Sequence, residues 1–586
     1  MDHKLAALDI RWYRGQLFIR WSENDLPENA RLRVWKSEQQ ITAENINSAE
    51  LLASMLNPGS ARDWWKDTAS FVIERSEELK KEEIFAGKVA DCDTGNLAES
   101  GWILTDNGEA VSPAGGLHVH TPREAGKFFF AVTWHIGEND SAEEILIFPE
   151  AVTVERGEVN MIRIAGDVCK EQCAGLPLFV ELHGREGGIG VDENGNSLGT
   201  HLLFTDDSLA WREGIPFKFS IQVTDSTWDR KAGEKFVLLT LYDRVWTGRK
   251  LTAAESNDQR DYVPAINTFW MGYHTNIAHG NYAPYQWDNY TEKLVLHIIE
   301  LVKKELAVNG DRVYLIGGSM GGTGAVQLAM HFPDKFAAAL AWVPVYSYTW
   351  EKTPGYPELS PSIERMRCSI GQFTPSDAVL SPDGRELLEY GNALNFITDP
   401  AVDMPPLFAT NGRRDMSIPW VNNPPFFRAV NQAKQAFCVI WNDGGHGMTR
   451  EVEEVTTIDQ LLEYRLDQAF AVFSNCSDNR DYGSGDPAQG DLYGWINRGM
   501  SGKVLTDKTA ELTAELSAWH AEISYPVSCD VTFRRCQKFL LAPGTQVKVS
   551  VNGEERVVTA DENGLLTVKN ITFSKPEKIT VICSLF

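Results

Sequence analysis

Cysteines arranged in pairs are missing from this sequence. Its nine cysteines are Cys92, Cys169, Cys173, Cys368, Cys438, Cys476, Cys529, Cys536 and Cys583. They are odd in number, scattered and without a C-x-x-C pair, which leaves neither a zinc site nor a disulfide framework; Cys169 and Cys173 read as free thiols. A basic surplus is missing too. Against 81 Asp and Glu stand only 55 Lys and Arg, a formal net charge of −26, so the phosphates of nucleic acid or of an anionic membrane surface would be repelled, and neither is expected as a partner. No apolar run approaches the roughly 20 residues of a membrane span. The opening Met1-Asp-His-Lys-Leu-Ala-Ala-Leu-Asp9 lacks the basic region and apolar core of a secretion signal, so the chain reads as cytoplasmic, or as secreted with its signal removed. A calcium loop is also lacking: the stretches beginning at Asp192 and Asp561 have neither the full spacing nor the terminal glutamate, and read as turns. His118 and His120 share one strand face, but with no third ligand they read as an exposed strand face rather than a metal site. No metal and no organic cofactor is called for.

What is present is an ordinary globular composition, 43% hydrophobic and 23% charged over 586 residues, enough for about three to four domains. The N-terminal part, 1–158, is strand-like. Ile10 to Tyr13 and Leu17 to Trp21 flank a turn at Arg14-Gly15, Arg31 to Trp35 alternates, and Phe128 to Trp134 precedes another turn. This pattern predicts a β-sandwich of the fibronectin type III kind, with a helical insertion at 49–56 running into Asp63-Trp64-Trp65. From 159 to 476 strands alternate with helices, the signature of a doubly wound, mostly parallel sheet. Its strands are expected at 178–183, 236–242, 313–316, 336–345, 407–410 and 437–441. Helices are expected over 290–306 and 325–331, with a long amphipathic helix over 458–473 closing the domain. Residues 477–504, rich in Gly, Asp, Asn and Ser, read as a linker. The tail, 505–586, reads as a second β-sandwich containing a hairpin at Asn552-Gly553 with a type I′ turn. The predicted class is therefore α/β, a central α/β unit flanked by N- and C-terminal all-β sandwich domains.

The chemistry concentrates at Gly317-Gly318-Ser319-Met320-Gly321, a G-x-S-x-G match between an expected strand and an expected helix. So tight a strand-to-helix turn forces its middle residue into a strained conformation, with the side chain standing clear. Cβ atoms two residues to either side would collide, hence the glycines. A serine hydroxyl is a poor nucleophile at its own pKa and needs a base, which in turn needs an orienting acid. Two loops leaving later strands supply them: Asn411-Gly-Arg-Arg-Asp415 and Asp443-Gly-Gly-His446-Gly447. Asp443, three residues before His446, is a rival acid that would have to fold back within the same loop. An oxyanion needs two backbone N–H donors. Met320, after the nucleophile, is one, and Gly184 or Arg185, on the loop after His183, is the other. Aromatic-rich loops at the strand ends carry Trp270, Tyr273, Trp287, Tyr346 and Trp420, candidates to stack on a substrate.

Taken together, Leu182-His183-Gly184, the segment from Asp311 to Gly322, Phe332-Pro-Asp-Lys-Phe-Ala-Ala338, Asn411 to Asp415 and Gly444-Gly-His446-Gly447 resemble the α/β-hydrolase superfamily. Within it they are most similar to carbohydrate esterases, such as feruloyl and acetyl xylan esterases, and to polyhydroxybutyrate-depolymerase-like enzymes. Prolyl-oligopeptidase-like peptidases share these elements. The resemblance spans roughly 161–475 and departs from the family at two places. Asn411-Gly412 stands where many members have His-Gly, and Arg185-Glu186 stands where they have more glycine. It implies a serine carboxylic-ester hydrolase acting through Ser319, His446 and Asp415 on small-molecule or polysaccharide esters, acetyl or hydroxycinnamoyl. The alternatives are a serine peptidase, against which the short, unrepetitive N-terminal part speaks because such peptidases carry a β-propeller, and a non-catalytic carbohydrate-binding protein.

Overall fold

The computed structural model describes residues 4–13, 15–27, 29–56, 58–61, 102–103, 110–111, 115–137, 141–157, 161–163, 168–184, 200–204, 216–227, 230–243, 245–246, 265–277, 282–348, 350, 361–447 and 455–586. At its centre is a ten-stranded sheet. From one edge its strands are Met161–Arg163, Thr200–Phe204, Pro216–Thr227, Arg230–Tyr242, Leu178–His183, Val313–Gly318, Ala338–Trp342, Leu407–Gly412, Phe437–Asn442 and Gly494–Ile496. The run from Arg230–Tyr242 to Phe437–Asn442 is parallel throughout, and antiparallel strands finish both edges.

The parallel strands are apolar on both faces, as a doubly covered sheet requires. Val180, Leu182, Leu315 and Trp441 pack on one side with the helices Tyr290–Leu306, Met320–His331 and Asn423–Gln432. Phe179, Tyr314, Ile316 and Ile440 pack on the other with the short helix Ile458–Leu462. The α/β layout expected of 159–476 is thus present, although the strand expected over 336–345 is confined to Ala338–Trp342.

The N-terminal strands form two antiparallel sheets. Lys4–Tyr13, Gln16–Asn24 and Gly116–His120 make one; Ala30–Ser37, Glu50–Leu56, Gly126–Ile136, Glu144–Ile147 and Val152–Val154 make the other. Both contribute to one core, with Leu17, Ile19 and Trp21 from the first against Leu32, Val34 and Phe130 from the second. The expected helical insertion is not there: Glu50–Leu56 is a strand paired with Ala30–Ser37. Its Leu, Ala and Met favour helix weakly, and an unpaired neighbouring strand edge offers a full ladder of hydrogen bonds, which overrides that preference. Residues 63–65 lie outside the described residues. His118 is 2% exposed, so its strand face is buried rather than solvated. The same burial, followed by the charges of His118, Lys36 and Arg123, pushes the imidazole of His120 down to about 3.

Two expectations at the C-terminal end fail together. The helix expected over 458–473 stops at Leu462, and Phe470–Ser474 is a strand. It pairs with Val527–Arg534 in an eight-stranded antiparallel sheet that wraps around its own apolar core. The polar turn at 463–469 interrupts the helical stripe, and the five apolar or small residues that follow are all buried. The 477–504 segment is not a linker either. The chain leaves the C-terminal sheet after Ser474, returns to add Gly494–Ile496 to the central sheet, and re-enters the C-terminal sheet with Met500–Lys508. Asn497 fastens the two sheets, its side-chain amide donating at 3.0 Å to the carbonyls of both Phe437 and Phe473. Trp495, 1% exposed, is held by the Asp478 carboxylate, which also meets His520.

The hairpin turn is as expected, with Asn552 and Gly553 both at positive φ. Asp561 is the head of a turn, its carboxylate accepting from the N–H groups of Asn563 and Leu565. The Asp192 stretch lies outside the described residues.

Candidate active site

The nucleophile turn is built as its sequence requires. The strand Val313–Gly318 ends, Ser319 takes φ 55° and ψ −116°, and the helix Met320–His331 begins at the next residue. Positive φ costs a non-glycine residue on the order of 1–3 kcal/mol and persists only where the surroundings fix it. Here they do. The Ser319 N–H donates to Trp342 O at 2.8 Å, and its carbonyl accepts from the N–H of Thr323 at 2.9 Å and from the Thr323 hydroxyl at 3.1 Å. The glycines are steric necessities. A Cβ on Gly317 would lie 2.2 Å from Gly321 O, and one on Gly321 would lie 1.7 Å from Leu182 O.

From this turn Ser319 Oγ reaches His446 Nε2 at 2.7 Å. His446 Nδ1 meets Asp415 Oδ2 at 2.8 Å. Asp415 is 1% exposed, and its other oxygen accepts from the N–H groups of Ser417 at 2.7 Å and Ile418 at 2.9 Å. The carboxylate is therefore fixed from behind while its Oδ2 faces the imidazole. The rival acid is engaged elsewhere, Asp443 accepting from Arg414 Nε at 2.7 Å. The loops carrying acid and base are laced together: Arg413 N–H donates to Asn442 O and Arg414 N–H to Gly444 O, both at 2.9 Å. Close approach here again demands glycine, because a Cβ on Gly412 would sit 2.3 Å from Gly445 O. The line from Ser319 through His446 to Asp415 has the geometry of a serine-hydrolase relay.

Residues 257–389 of the chain match the family model described as "Putative esterase". Among solved structures it is similar to an S-formylglutathione hydrolase from Agrobacterium tumefaciens, with 14% identity and a TM-score of 0.27, covering 47% of this chain and 78% of that one. It is similar to a ferulic acid esterase, with 16% identity and a TM-score of 0.24, covering 49% and 90%. It is also similar to dipeptidyl peptidase 4 from Porphyromonas gingivalis, with 11% identity and a TM-score of 0.27, covering 57% and 43%. No curated protein matches this sequence.

The oxyanion candidates sit side by side. Met320 opens the helix, so its N–H lies in the first turn, where no helical carbonyl can take it. A Cβ on Gly184 would be only 3.0 Å from Met320 Cβ, so the Gly184 backbone lies directly against the turn. Arg185 and the departure at Arg185-Glu186 lie outside the described residues. The other departure, Asn411, is buried and accepts from the Tyr346 hydroxyl at 3.1 Å.

The five aromatic residues expected to meet substrate are all buried, and this corrects the expectation. Trp270, Tyr273, Trp287, Tyr346 and Trp420 are between 0% and 3% exposed. Trp270 lies on Gly324 one turn into the nucleophile helix. Tyr273 packs on Tyr290 and Tyr346 stacks on Phe426. Trp287 donates to Val379 O and Trp420 to Tyr482 O. Irregular loops bury large rings because, lacking regular ladders, they gain order chiefly from apolar area. Half-buried Tyr282, Tyr285 and Trp350 retain partial exposure, and Met416, beside Asp415, is 59% exposed.

Three polar features escaped the sequence reading. Glu181, 5% exposed, accepts from Thr227 and Thr240 and faces His183 Nε2 at 3.2 Å. Burial works against its charge, but these partners outweigh it and hold its carboxyl below the usual range. Asp243, at the end of its strand, accepts from Thr268 Oγ1 at 2.6 Å and from the N–H groups of Thr268 and Trp270 at 3.1 Å, and burial raises it to about 6. Arg413 is completely buried. An acidic residue inside an apolar strand was a usable signal for Glu181. Nothing in Asn-Gly-Arg-Arg-Asp tells a buried arginine from a solvated one. Among the described residues no group of His, Cys, Asp and Glu is arranged to hold a metal.

Proposed function

We propose that this esterase removes acetyl or hydroxycinnamoyl groups from saccharide esters, with Ser319 as nucleophile, His446 as general base and acid, and Asp415 as its orienting carboxylate. The observation that carries the assignment is the unbroken relay from Ser319 Oγ to His446 at 2.7 Å and on to buried Asp415 at 2.8 Å. As Oγ attacks the ester carbonyl, its proton passes to Nε2, and Asp415 holds the Nδ1–H tautomer and steadies the imidazolium. The N–H groups of Met320 and Gly184 take the oxyanion. Collapse expels the alcohol, protonated by His446, and water then releases the acyl group by the same steps in reverse order of roles. The saccharide and acyl preference rests on the motif resemblance, not on an aromatic platform.

The test is turnover of p-nitrophenyl acetate, methyl ferulate, acetylated xylan and a proline-containing peptide amide by the wild type and Ser319→Ala. Ester hydrolysis lost in the variant is expected, and the preferred substrate sets the acyl class. Activity that survives in Ser319→Ala would refute the assignment, and cleavage of the peptide alone would move the chain to the peptidases.

A further inference from the structure

The segment between the two sheets grips the catalytic loops through one arginine. Arg413, two residues before Asp415, is 0% exposed. Its guanidinium does not meet a carboxylate at hydrogen-bond distance among its described contacts; it sits in a basket of main-chain carbonyls from beyond residue 480. Nε donates to Pro487 O at 3.2 Å, Nη1 to Asp491 O at 2.9 Å, and Nη2 to Pro487 O at 3.0 Å, Asp486 O at 3.3 Å and Gln489 O. The Trp420 ring lies 4.8 Å away on the other side. Trp441, on the strand that leads into the His446 loop, donates Nε1–H to Asp491 O at 2.8 Å. Trp420, just past Asp415, donates to Tyr482 O at 3.3 Å. The basket is closed on itself, the Asp481 N–H donating to the Asp491 carboxylate at 2.9 Å and the Gly483 N–H to the Asp481 carboxylate at 2.9 Å.

Four carbonyl dipoles converging on one buried cation through five hydrogen bonds make a rigid contact that neither side gives up cheaply. It joins the strap to the acid loop through Arg413 and Trp420, and to the histidine strand through Trp441. Those two loops carry the groups whose spacing of 2.8 Å sets the imidazole over Ser319. We propose that residues 480–496 are a positioning clamp for the acid and histidine loops, with Arg413 as its hub, so that the catalytic centre is complete only with the chain beyond the central domain. This rests on the reading of Ser319, His446 and Asp415 as catalytic. Arg413 touches no reacting atom and acts through Asp415 and His446, so it is a positioning residue.

The test uses the full chain and p-nitrophenyl acetate, with kcat expressed per Ser319 titrated by a fluorophosphonate, so that a merely unfolded fraction does not count. Arg413→Met keeps the apolar stem and removes the donors. Its kcat per titrated site is expected to fall about 10- to 100-fold, as for a catalytic group displaced by about 1 Å, with KM within about twofold of wild type. A kcat per site within twofold of wild type overturns the clamp. If Arg413→Met does not fold, Trp441→Phe decides: it keeps a smaller aromatic ring in place and removes the bond to Asp491 O, and it should lower kcat severalfold at unchanged KM, with an unchanged kcat refuting the proposal. Ser319→Ala run alongside separates the two failures. Activity there sinks the catalytic reading itself, whereas an inactive Ser319→Ala beside a fully active Arg413→Met sinks only the clamp.

Discussion

Replacing Asp415 by Asn tests the assignment of the acid most sharply, because the surroundings dictate how the amide must sit. Oδ1 accepts from two backbone N–H groups, those of Ser417 and Ile418, and Oδ2 faces His446 Nδ1. In the variant the amide oxygen must stay with the two N–H donors. Turning it over would set the NH2 group against both and leave them unpartnered at a site only 1% exposed, at about 1–3 kcal/mol each. The NH2 therefore points at Nδ1 and donates to it, which puts the imidazole proton on Nε2, the atom that should take the proton of Ser319. Kept in the wrong tautomer, the base cannot act. The loss expected is about 10⁴-fold in kcat, or ~5.5 kcal/mol of barrier, with little change in the thermal midpoint because the shape is conserved. The control is Asp443→Asn. Asp443 pairs with Arg414 where both side chains are substantially exposed, at 37% and 66%, and such a pair is worth at most about 1 kcal/mol, so kcat should change less than about threefold. Both enzymes would be assayed on p-nitrophenyl acetate at pH 8. Wild-type turnover in Asp415→Asn, or collapse of activity in Asp443→Asn, would refute the reasoning and hand the role to the loop acid.

Gly324→Ala should destabilise the catalytic domain, because the new Cβ would lie 2.5 Å from the Trp270 ring. Overpacking of about 1–3 kcal/mol exceeds the ~1 kcal/mol that alanine adds to helix propensity, and the thermal midpoint should fall; a rise would refute it. Arg534 is fully buried and donates to Ala433 O, Lys434 O, Pro400 O and Asp403 Oδ1, thereby binding the carbonyls of the two residues that follow the helix Asn423–Gln432. Arg534→Met should cost about 3 kcal/mol, read as a lower urea midpoint with KM unchanged. Asp243 has a folded-state pKa raised to about 6, above its unfolded value, so its contribution to stability is fully present below the ordinary carboxylate pKa and is lost as pH rises through about 6. Asp243→Asn should remove that part of the pH dependence and be no less stable than wild type at pH 8. The amide can donate to Thr268 Oγ1, whose own proton then turns to Thr291 Oγ1 at 3.0 Å. Urea unfolding at pH 5 and pH 8 checks this, and a variant weaker at pH 8 would count against it.

The nucleophile turn was legible residue by residue. A strand, a strained serine between glycines and a helix can be joined in few ways, so Gly317, Ser319 and Gly321 carry their own geometry. The loops of Asp415 and His446 were legible for the same reason, each following an apolar β-branched or aromatic run that can only be a buried strand. Alternation of apolar stretches also announced the parallel sheet. What failed were judgements that depend on a partner distant in sequence. Glu50–Leu56 is a strand because Ala30–Ser37 has an edge to pair. Phe470–Ser474 is a strand because Val527–Arg534 lies beside it. The aromatic rings of the loops proved to be buried, and the Gly- and Asp-rich segment, largely exposed over 481–492, is tied down by the buried residues 494–498. Composition reports how polar a segment is on average, while burial is decided by whether its polar groups find partners elsewhere. The carbonyls around Arg413 find theirs in its buried guanidinium. The sequence by itself determined the turn at Ser319 and the order of the acid and histidine loops that follow it, because short-range sterics and the strand-loop pattern are local. Only the tertiary structure decided which acid faces His446, which aromatics are out of reach of solvent, and that the chain beyond the central domain returns to hold the catalytic loops, because those outcomes depend on contacts between residues tens to hundreds of positions apart.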